Sequence, residues 1–112
     1  GRMKFYALLD YRVTGLQAEV APGPHRPGDT VKVICRVSAE GGEPDLHAFR
    51  LQLLAPDGAA LSAYNTAALA PGGRAEVGLP LALNEPAGRY TLSATDVLSG
   101  ATGKTQFEVT RP

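Results

Sequence analysis

Few residues of the chain are of a type that acts as a nucleophile, general base or metal ligand. The sequence contains one cysteine, Cys35, and two histidines, His25 and His47. Their spacing matches no catalytic cysteine–histidine pattern, and they are too few for the repeated ligand pairs of a zinc site. We therefore expect Cys35 to be a buried, unreactive thiol without a disulfide partner. His25, in a proline-rich loop, is expected to be solvated, and His47, near a strand end, to be partly buried and hydrogen-bonded.

Serine and acidic residues add no reactive pattern. No serine stands in the strand-to-helix elbow that exposes a catalytic serine; the serines considered are Ser38, Ser62, Ser93 and Ser99. Asp29 and Asp57 stand in turns, where an aspartate usually caps its own backbone, and no acidic loop has the oxygen density of a calcium site. Gly72 and Gly73 are interpreted as a turn because no Lys-Ser/Thr pair follows them. The sequence thus predicts no catalytic residue, no cofactor site and no metal site, and hence a domain that is not itself an enzyme.

Charge and hydropathy limit the classes of partner. Lys and Arg together number 11, as do Asp and Glu, so no net charge draws the chain towards nucleic acid. Hydrophobic residues make up 44% of the 112 residues, enough for one folded core. Their unbroken runs are only a few residues long, so membrane insertion is not expected.

Turn-forming sequences interrupt the chain at short intervals, and this spacing is typical of an all-β sandwich or barrel. They lie at 22–24, 27–29, 41–45, 56–58, 71–73, 84–88 and 99–100. Most of the 13 glycines and nine prolines fall in these places, leaving no stretch for a helix of ordinary length.

Between the turns, apolar residues alternate with polar ones, as they do in strands with one buried face. Four strands show this clearly, at about 30–39, 46–54, 90–95 and 104–109, and three less clearly, at about 12–21, 61–69 and 74–83. Gly15 predicts a bulge in the first, and Pro80 predicts an edge position or a bulge for the strand that contains it, with Leu81 and Leu83 continuing its apolar face. The fold class predicted is an all-β, seven-stranded antiparallel β-sandwich.

Three motifs resemble the immunoglobulin-like and macroglobulin-type modules of bacterial extracellular and envelope proteins. They are RPGDTVKV at 26–33, LAPDG at 54–58 and PAGRYTLSATD at 86–96. The resemblance implies an immunoglobulin-like Greek key and favours a secreted or cell-envelope location. It also implies a corner role for Tyr90, whose hydroxyl would bond back to the main chain, and a contact between Cys35 and Leu92, which stands where such domains carry a second cysteine.

A second resemblance involves the beginning of the chain. The segments FYALLDYRV at 5–13 and LALNEPAG at 81–88 are similar to the C-terminal β-sandwich of some bacterial glycoside hydrolases of beta-galactosidase type. This similarity implies an accessory module, with the active site in another part of the parent protein.

Residues 1–11 are expected to comprise a tag remnant and an interdomain junction, and residues 12–112 the sandwich domain. The candidate interface is apolar and aromatic; its residues are Phe5, Tyr6, Leu8, Leu9 and Tyr11. The sequence therefore favours a non-catalytic accessory domain that packs against other domains of its parent chain, with at most weak homo-oligomers through unpaired strand edges. The alternative is a carbohydrate-binding or adhesion module with Tyr64 as ligand platform, although aromatic residues make up only 6% and tryptophan is absent.

Overall fold

The computed structural model describes residues 11–110, and these form seven β-strands with two single 3-10 turns. The strands are β1 (Arg12–Val20), β2 (Thr30–Glu40), β3 (His47–Leu54), β4 (Thr66–Ala70), β5 (Arg74–Pro80), β6 (Gly88–Asp96) and β7 (Thr102–Val109). The 3-10 turns are Ser62–Tyr64 and Pro71–Gly73. The predicted all-β class is confirmed. No helix in residues 11–110 is long and apolar enough to cross a bilayer.

The strands form two antiparallel sheets. The first contains three strands in the order β1-β2-β5, and the second contains four in the order β4-β3-β6-β7. The predicted seven strands and their antiparallel pairing are therefore confirmed. A register shift between Val13 and Gly15 marks the bulge expected in β1, and β5, which ends at Pro80, is an edge strand as predicted.

One hydrophobic core lies between the two sheets, because every second residue of the central strands points inward. The fully or nearly fully buried residues of β2, β3 and β6 are Val31, Val33, Cys35, Val37, His47, Phe49, Leu51, Leu53, Tyr90, Leu92, Ala94 and Asp96. Apart from Asp96, this is the inward set that the period-two alternation predicts. Cys35 and Leu92 both belong to the core cluster, and the Cys35 thiol is free and buried, as expected.

Two segments differ from the prediction. The region at 61–69, expected to be one strand, divides into the 3-10 turn Ser62–Tyr64 and the short strand β4. The strand expected over 74–83 ends at Pro80, which has no N–H to continue a ladder. Leu81 is still buried, held by its N–H to the Asp29 carbonyl, whereas Leu83 is 79% exposed and does not continue the inward face.

Candidate interaction surface

A buried chain of hydrogen bonds joins three separate segments at one end of the sandwich. Tyr11 immediately precedes β1, His47 begins β3, and Asp96 ends β6. The Tyr11 hydroxyl lies 2.7 Å from His47 Nε2, and His47 Nδ1 lies 3.0 Å and 3.1 Å from the two Asp96 carboxylate oxygens. In the tautomer whose Nδ1–H donates to the Asp96 carboxylate, His47 Nε2 accepts a hydrogen bond from the Tyr11 hydroxyl, so every member of the chain has a partner.

The ends of this chain extend into the neighbouring loops. Asp45 N–H donates to the Tyr11 hydroxyl at 2.9 Å, which ties the β2–β3 loop to the start of β1. Asp96 accepts a 2.6 Å hydrogen bond from Ser99 Oγ in the β6–β7 turn. A hydroxyl bonded to a histidine that is bonded to an aspartate has the order of a nucleophilic triad, but this hydroxyl is enclosed and engaged by two partners. These hydrogen bonds connect the start of β1 with the β2–β3 loop and the β6–β7 turn. The expectation that His47 is hydrogen-bonded is confirmed.

Tyr11 was predicted to belong to the docking interface, and the structure corrects this. Its side chain is 8% exposed, and its ring lies 5.7 Å from the His47 ring, centroid to centroid. Tyr11 therefore belongs to the packing of the domain and does not offer its ring to a partner. The other four predicted interface residues lie outside the described residues; they are Phe5, Tyr6, Leu8 and Leu9.

The surface beside this network is apolar. Leu69 of β4 pairs with Ala48 of β3, and Val97, directly after β6, donates its N–H to the Ala48 carbonyl at 2.9 Å. These three residues thus form a row across three neighbouring strands, on the outer face of the four-stranded sheet. Leu46 and Leu98 flank the row, and with His47 these residues line a groove of about 420 Å³. We call this surface the apolar groove.

Exposure sets the apolar groove apart from the rest of the described surface. Five large hydrophobic residues within residues 11–110 are strongly exposed, and four of them belong to the groove: Leu46 (55%), Leu69 (71%), Val97 (56%) and Leu98 (49%). Sequence analysis missed this surface. Part of its signal was present, because Leu46 is apolar at a position that the alternation assigns to the outside, but only the register of three strands brings Leu46 beside Leu69.

A second groove, of about 490 Å³, lies at the opposite end of the sandwich and is more polar. Its rim carries Arg89, Gln106 and Glu108, of which Arg89 and Glu108 form an ion pair at 2.9 Å. His25 lies at its base with 9% exposure, its ring edge against Phe107 at 5.5 Å between centroids. The expectation that His25 is solvated is wrong: its carbonyl accepts from Thr110 N–H at 2.8 Å, which draws the loop and its imidazole onto β7.

Tyr64, the predicted ligand platform, packs its ring against the core from the 3-10 turn Ser62–Tyr64. Its hydroxyl donates to Glu85 Oε2 at 2.5 Å and accepts from Ala82 N–H at 2.9 Å. Burial and the hydrogen bond to the Glu85 carboxylate raise the pKa of Tyr64. The hydroxyl is therefore already engaged within the domain, and its use as a ligand platform stays a prediction. Among residues 11–110, no three His, Cys, Asp or Glu side chains gather as metal ligands.

Comparison with known proteins finds similarity to solved structures alone. No family model matches the chain, and no curated protein matches it in sequence. Among solved structures, a conjugative transposon lipoprotein from Bacteroides eggerthii is similar to it at 20% sequence identity, with a TM-score of 0.48. The match covers 88% of this chain and 99% of that chain.

Proposed function

We propose that this chain is a non-catalytic, immunoglobulin-like accessory domain of a larger bacterial protein, and that it packs against another domain of that protein. The observation that carries the proposal is the position of the apolar groove. It lies at the end of the sandwich that also holds Tyr11 and the start of β1, and it carries four of the five strongly exposed large hydrophobic residues found among residues 11–110.

An immunoglobulin-like topology is supported by two features. The fourth strand pairs with the third, in a sheet that also contains the sixth and seventh, as in immunoglobulin-like domains with a C′ strand. The Tyr90 hydroxyl donates to the Pro86 carbonyl at 2.7 Å, four residues upstream, which is the bond of a tyrosine corner. A domain of this class uses its sheets for packing and carries function on its surface.

Packing between domains is favoured by the contrast within one face of the four-stranded sheet. Beyond the groove, most outward positions of that sheet are polar, including Arg50, Gln52, Lys104 and Gln106, and Ala67 is small. A contiguous apolar patch on an otherwise polar surface is typical of an interaction site, because its burial removes hydrocarbon from water. Two further parts of the proposal rest on sequence resemblance alone. One is that the parent protein is a glycoside hydrolase, and the other is that it is secreted or lies in the cell envelope.

The proposal is tested with two matched substitutions on β4. Leu69→Glu places a charge in the groove, whereas Ala67→Glu places the same charge on the same face of the same strand, opposite Arg50 and outside the groove. In the full-length gene product that contains this domain, Leu69→Glu should speed proteolysis at the junction by about tenfold, because the charge resists burial. Ala67→Glu should leave the rate within about twofold of wild type.

The isolated 112-residue chain is the second control. Both variants should unfold there at the same urea concentration as wild type, because Leu69 and Ala67 are exposed. Equal junction proteolysis of wild type and both variants in the full-length protein would contradict interdomain packing through this end.

The alternative function, sugar binding, is favoured by one feature, the polar groove at the opposite end. Arg89, Gln106 and Glu108 place hydrogen-bonding groups around an open depression, but no exposed aromatic ring lies among its lining residues to stack on a sugar. A titration with oligosaccharides, followed by NMR shifts of the His25 and Arg89 signals, tests it. Saturable shifts at millimolar sugar would favour this function over packing, and unchanged spectra would eliminate it at this groove.

A further inference from the structure

We propose that the outer face of the four-stranded sheet binds an acidic polysaccharide, a sugar chain that carries carboxylates, on a strip of side chains beside the apolar groove. Two rows that the strand register aligns across β3, β6 and β7 form this strip. The rows are Arg50–Thr95–Thr102 and Gln52–Ser93–Lys104. We call this surface the basic strip. It shares no residue with the apolar groove, so the proposal goes beyond interdomain packing and does not depend on it.

Charge pairing distinguishes the two outer faces of the sandwich. On the three-stranded sheet, every lysine and arginine of β1, β2 and β5 pairs with a glutamate at 2.9 to 3.9 Å; the pairs are Arg12–Glu40, Lys32–Glu76, Arg36–Glu19 and Arg74–Glu76. On the four-stranded sheet, Glu108 is the one acid among the outward residues of β3, β4, β6 and β7, and it pairs with Arg89 at 2.9 Å.

Two cations of the basic strip are therefore left without an acidic neighbour. Arg50 and Lys104 are exposed, and neither makes an ion pair with any residue from 11 to 110. An anion that approaches this face meets uncompensated positive charge, whereas on the opposite face it meets cations that glutamates already neutralise.

The two cations lie on opposite sides of a column of hydroxyl groups. Arg50 is the β3 neighbour of Thr95, and Lys104 is the β7 neighbour of Ser93. Strands about 4.8 Å apart and rows about 6.8 Å apart separate the Cα atoms of Arg50 and Lys104 by roughly 12 Å. Ser93 and Thr95 are half-buried on β6 between them. An extended ligand lying along β6 would thus have a cation on each side and hydroxyl groups beneath it.

The side chains of the basic strip indicate the class of anion. Carboxylates form charge-assisted hydrogen bonds with the Arg50 guanidinium and the Lys104 ammonium group. The hydroxyl groups of the strip and the Gln52 amide can donate to and accept from the hydroxyls of a sugar. None of the six side chains is aromatic or a large aliphatic group, the types that anchor protein partners. An acidic polysaccharide therefore fits this strip better than an acidic protein does.

An NMR titration of the 112-residue chain with polygalacturonate, an acidic polysaccharide, tests the proposal. The uncharged polysaccharide dextran is the control probe. Polygalacturonate should give saturable shifts of the Ser93, Thr95 and Lys104 signals, and dextran should give none. Added salt should weaken the binding of polygalacturonate, because it screens exposed charges.

Matched charge removals locate the binding site. Lys104→Gln and Lys32→Gln each remove one exposed lysine, but Lys32 lies on the other sheet and pairs with Glu76 at 3.4 Å. Lys104→Gln and Arg50→Gln should each weaken polygalacturonate binding about three- to fivefold, the worth of one exposed charge contact, and Lys32→Gln should not. Ala67→Glu places a carboxylate directly opposite Arg50, so it should also weaken binding.

Weaker binding confined to the variants that alter the charge of the basic strip, with no response to dextran, supports the proposal. It is overturned if polygalacturonate causes no shifts, if dextran binds as well, or if Lys104→Gln and Lys32→Gln weaken binding equally. Polyglutamate binding at least as tightly as polygalacturonate would also overturn it, because the strip would then fit an acidic protein. Junction proteolysis, which tests interdomain packing, does not depend on any of these results.

Discussion

Tyr90 combines a buried ring with a hydroxyl that hydrogen-bonds to the Pro86 carbonyl at 2.7 Å and lies 3.4 Å from Glu85 Oε1. Its side chain is inaccessible to solvent and stacks on the Phe107 ring at 5.7 Å between centroids. Its hydroxyl donates to the Pro86 carbonyl, which joins the start of β6 to the β5–β6 loop. A part-buried acceptor that loses its donor keeps part of the cost of its desolvation, so this bond contributes more to stability than a fully exposed one of the same length.

The substitution Tyr90→Phe should keep the ring packing and remove only the hydroxyl. We expect the free energy of unfolding to fall by about 1 to 2 kcal/mol, because the Pro86 carbonyl loses its partner. Urea unfolding followed by circular dichroism measures this loss. A Tyr90→Phe variant as stable as wild type would mean that the corner bond does not stabilise the fold.

Cys35 is the second residue whose environment predicts a measurable property. Burial raises the pKa of its thiol from 9.0 to about 11. Because the thiolate is the reactive form, native Cys35 should react with a thiol reagent at least about 1,000-fold more slowly than in urea, through transient unfolding alone.

The same pKa predicts how stability changes at alkaline pH. Below pH 9.0 the thiol is protonated in both the folded and unfolded states, so its full contribution to the free energy of unfolding is present. Between pH 9.0 and about 11 only the unfolded chain releases the proton, so stability falls, by up to about 2 to 3 kcal/mol. Comparing urea unfolding of wild type and Cys35→Ala across this range isolates the effect, and parallel pH profiles would contradict it.

At the scale of elements, the two sheets meet closely where β1 and β7, their respective edge strands, run side by side. Gly103 of β7 approaches the backbone of β1 so closely that a Cβ atom there would lie 2.4 Å from the Leu16 carbonyl oxygen. No L-residue side chain fits at that distance unless the strands separate. The glycine is therefore required by the packing of one edge against the other, and its φ is not positive.

Gly103→Ala should destabilise the domain by about 1 to 3 kcal/mol through forced separation of β1 and β7. Gly15→Ala is the matched control, because a Cβ at the β1 bulge would meet nothing within 4 Å, and its φ is not positive. That control should be neutral or slightly stabilising, since alanine restricts the unfolded chain. Equal effects of the two substitutions in urea unfolding would refute the role of the close approach.

At the scale of the whole molecule, both sheets share one core, and neither has a hydrophobic core of its own. Core residues from all seven described strands belong to one cluster, with Leu16, Val33, Leu51, Leu92 and Phe107 as examples. Removing one sheet would expose the inner face of the other, so the sheets are expected to fold and unfold together.

The 112-residue chain should therefore unfold in one cooperative transition. We expect the same urea midpoint from circular dichroism, which reports both sheets, and from thiol labelling, which reports Cys35 in the three-stranded sheet. Two separated midpoints would show that one sheet persists without the other. Refolding should take milliseconds to seconds, because most contacts join residues distant in sequence.

Much of the fold was predictable from local pattern. The alternation of Val31, Val33, Cys35 and Val37 predicts their burial, because a strand's side chains can only point to its two faces. The bulge near Gly15 and the edge position of the strand containing Pro80 follow from the backbone chemistry of those two residues. Tyr90 was predicted from its motif and makes the expected bond.

The candidate surface was not predictable in the same way. Tyr11 was expected to face a partner, but its hydroxyl bonds to His47, 36 residues away, and His47 bonds to Asp96, a further 49 residues along. His25 was expected to be solvated, but its loop packs on β7. The His25 carbonyl accepts a hydrogen bond from Thr110, which is 85 residues away in the sequence. Such contacts depend on which strands are neighbours, and local pattern contains no information on that.

The sequence by itself determined the all-β class, the inward faces of the central strands and the absence of a net charge, since each depends on residue type and spacing within a single segment. Only the tertiary structure decided that Leu46, Leu69, Val97 and Leu98 share a surface. It also decided that the Tyr11 hydroxyl is hydrogen-bonded at the same end of the sandwich. The physical reason is that strand order and register place residues from β3, β4 and the β6–β7 turn side by side.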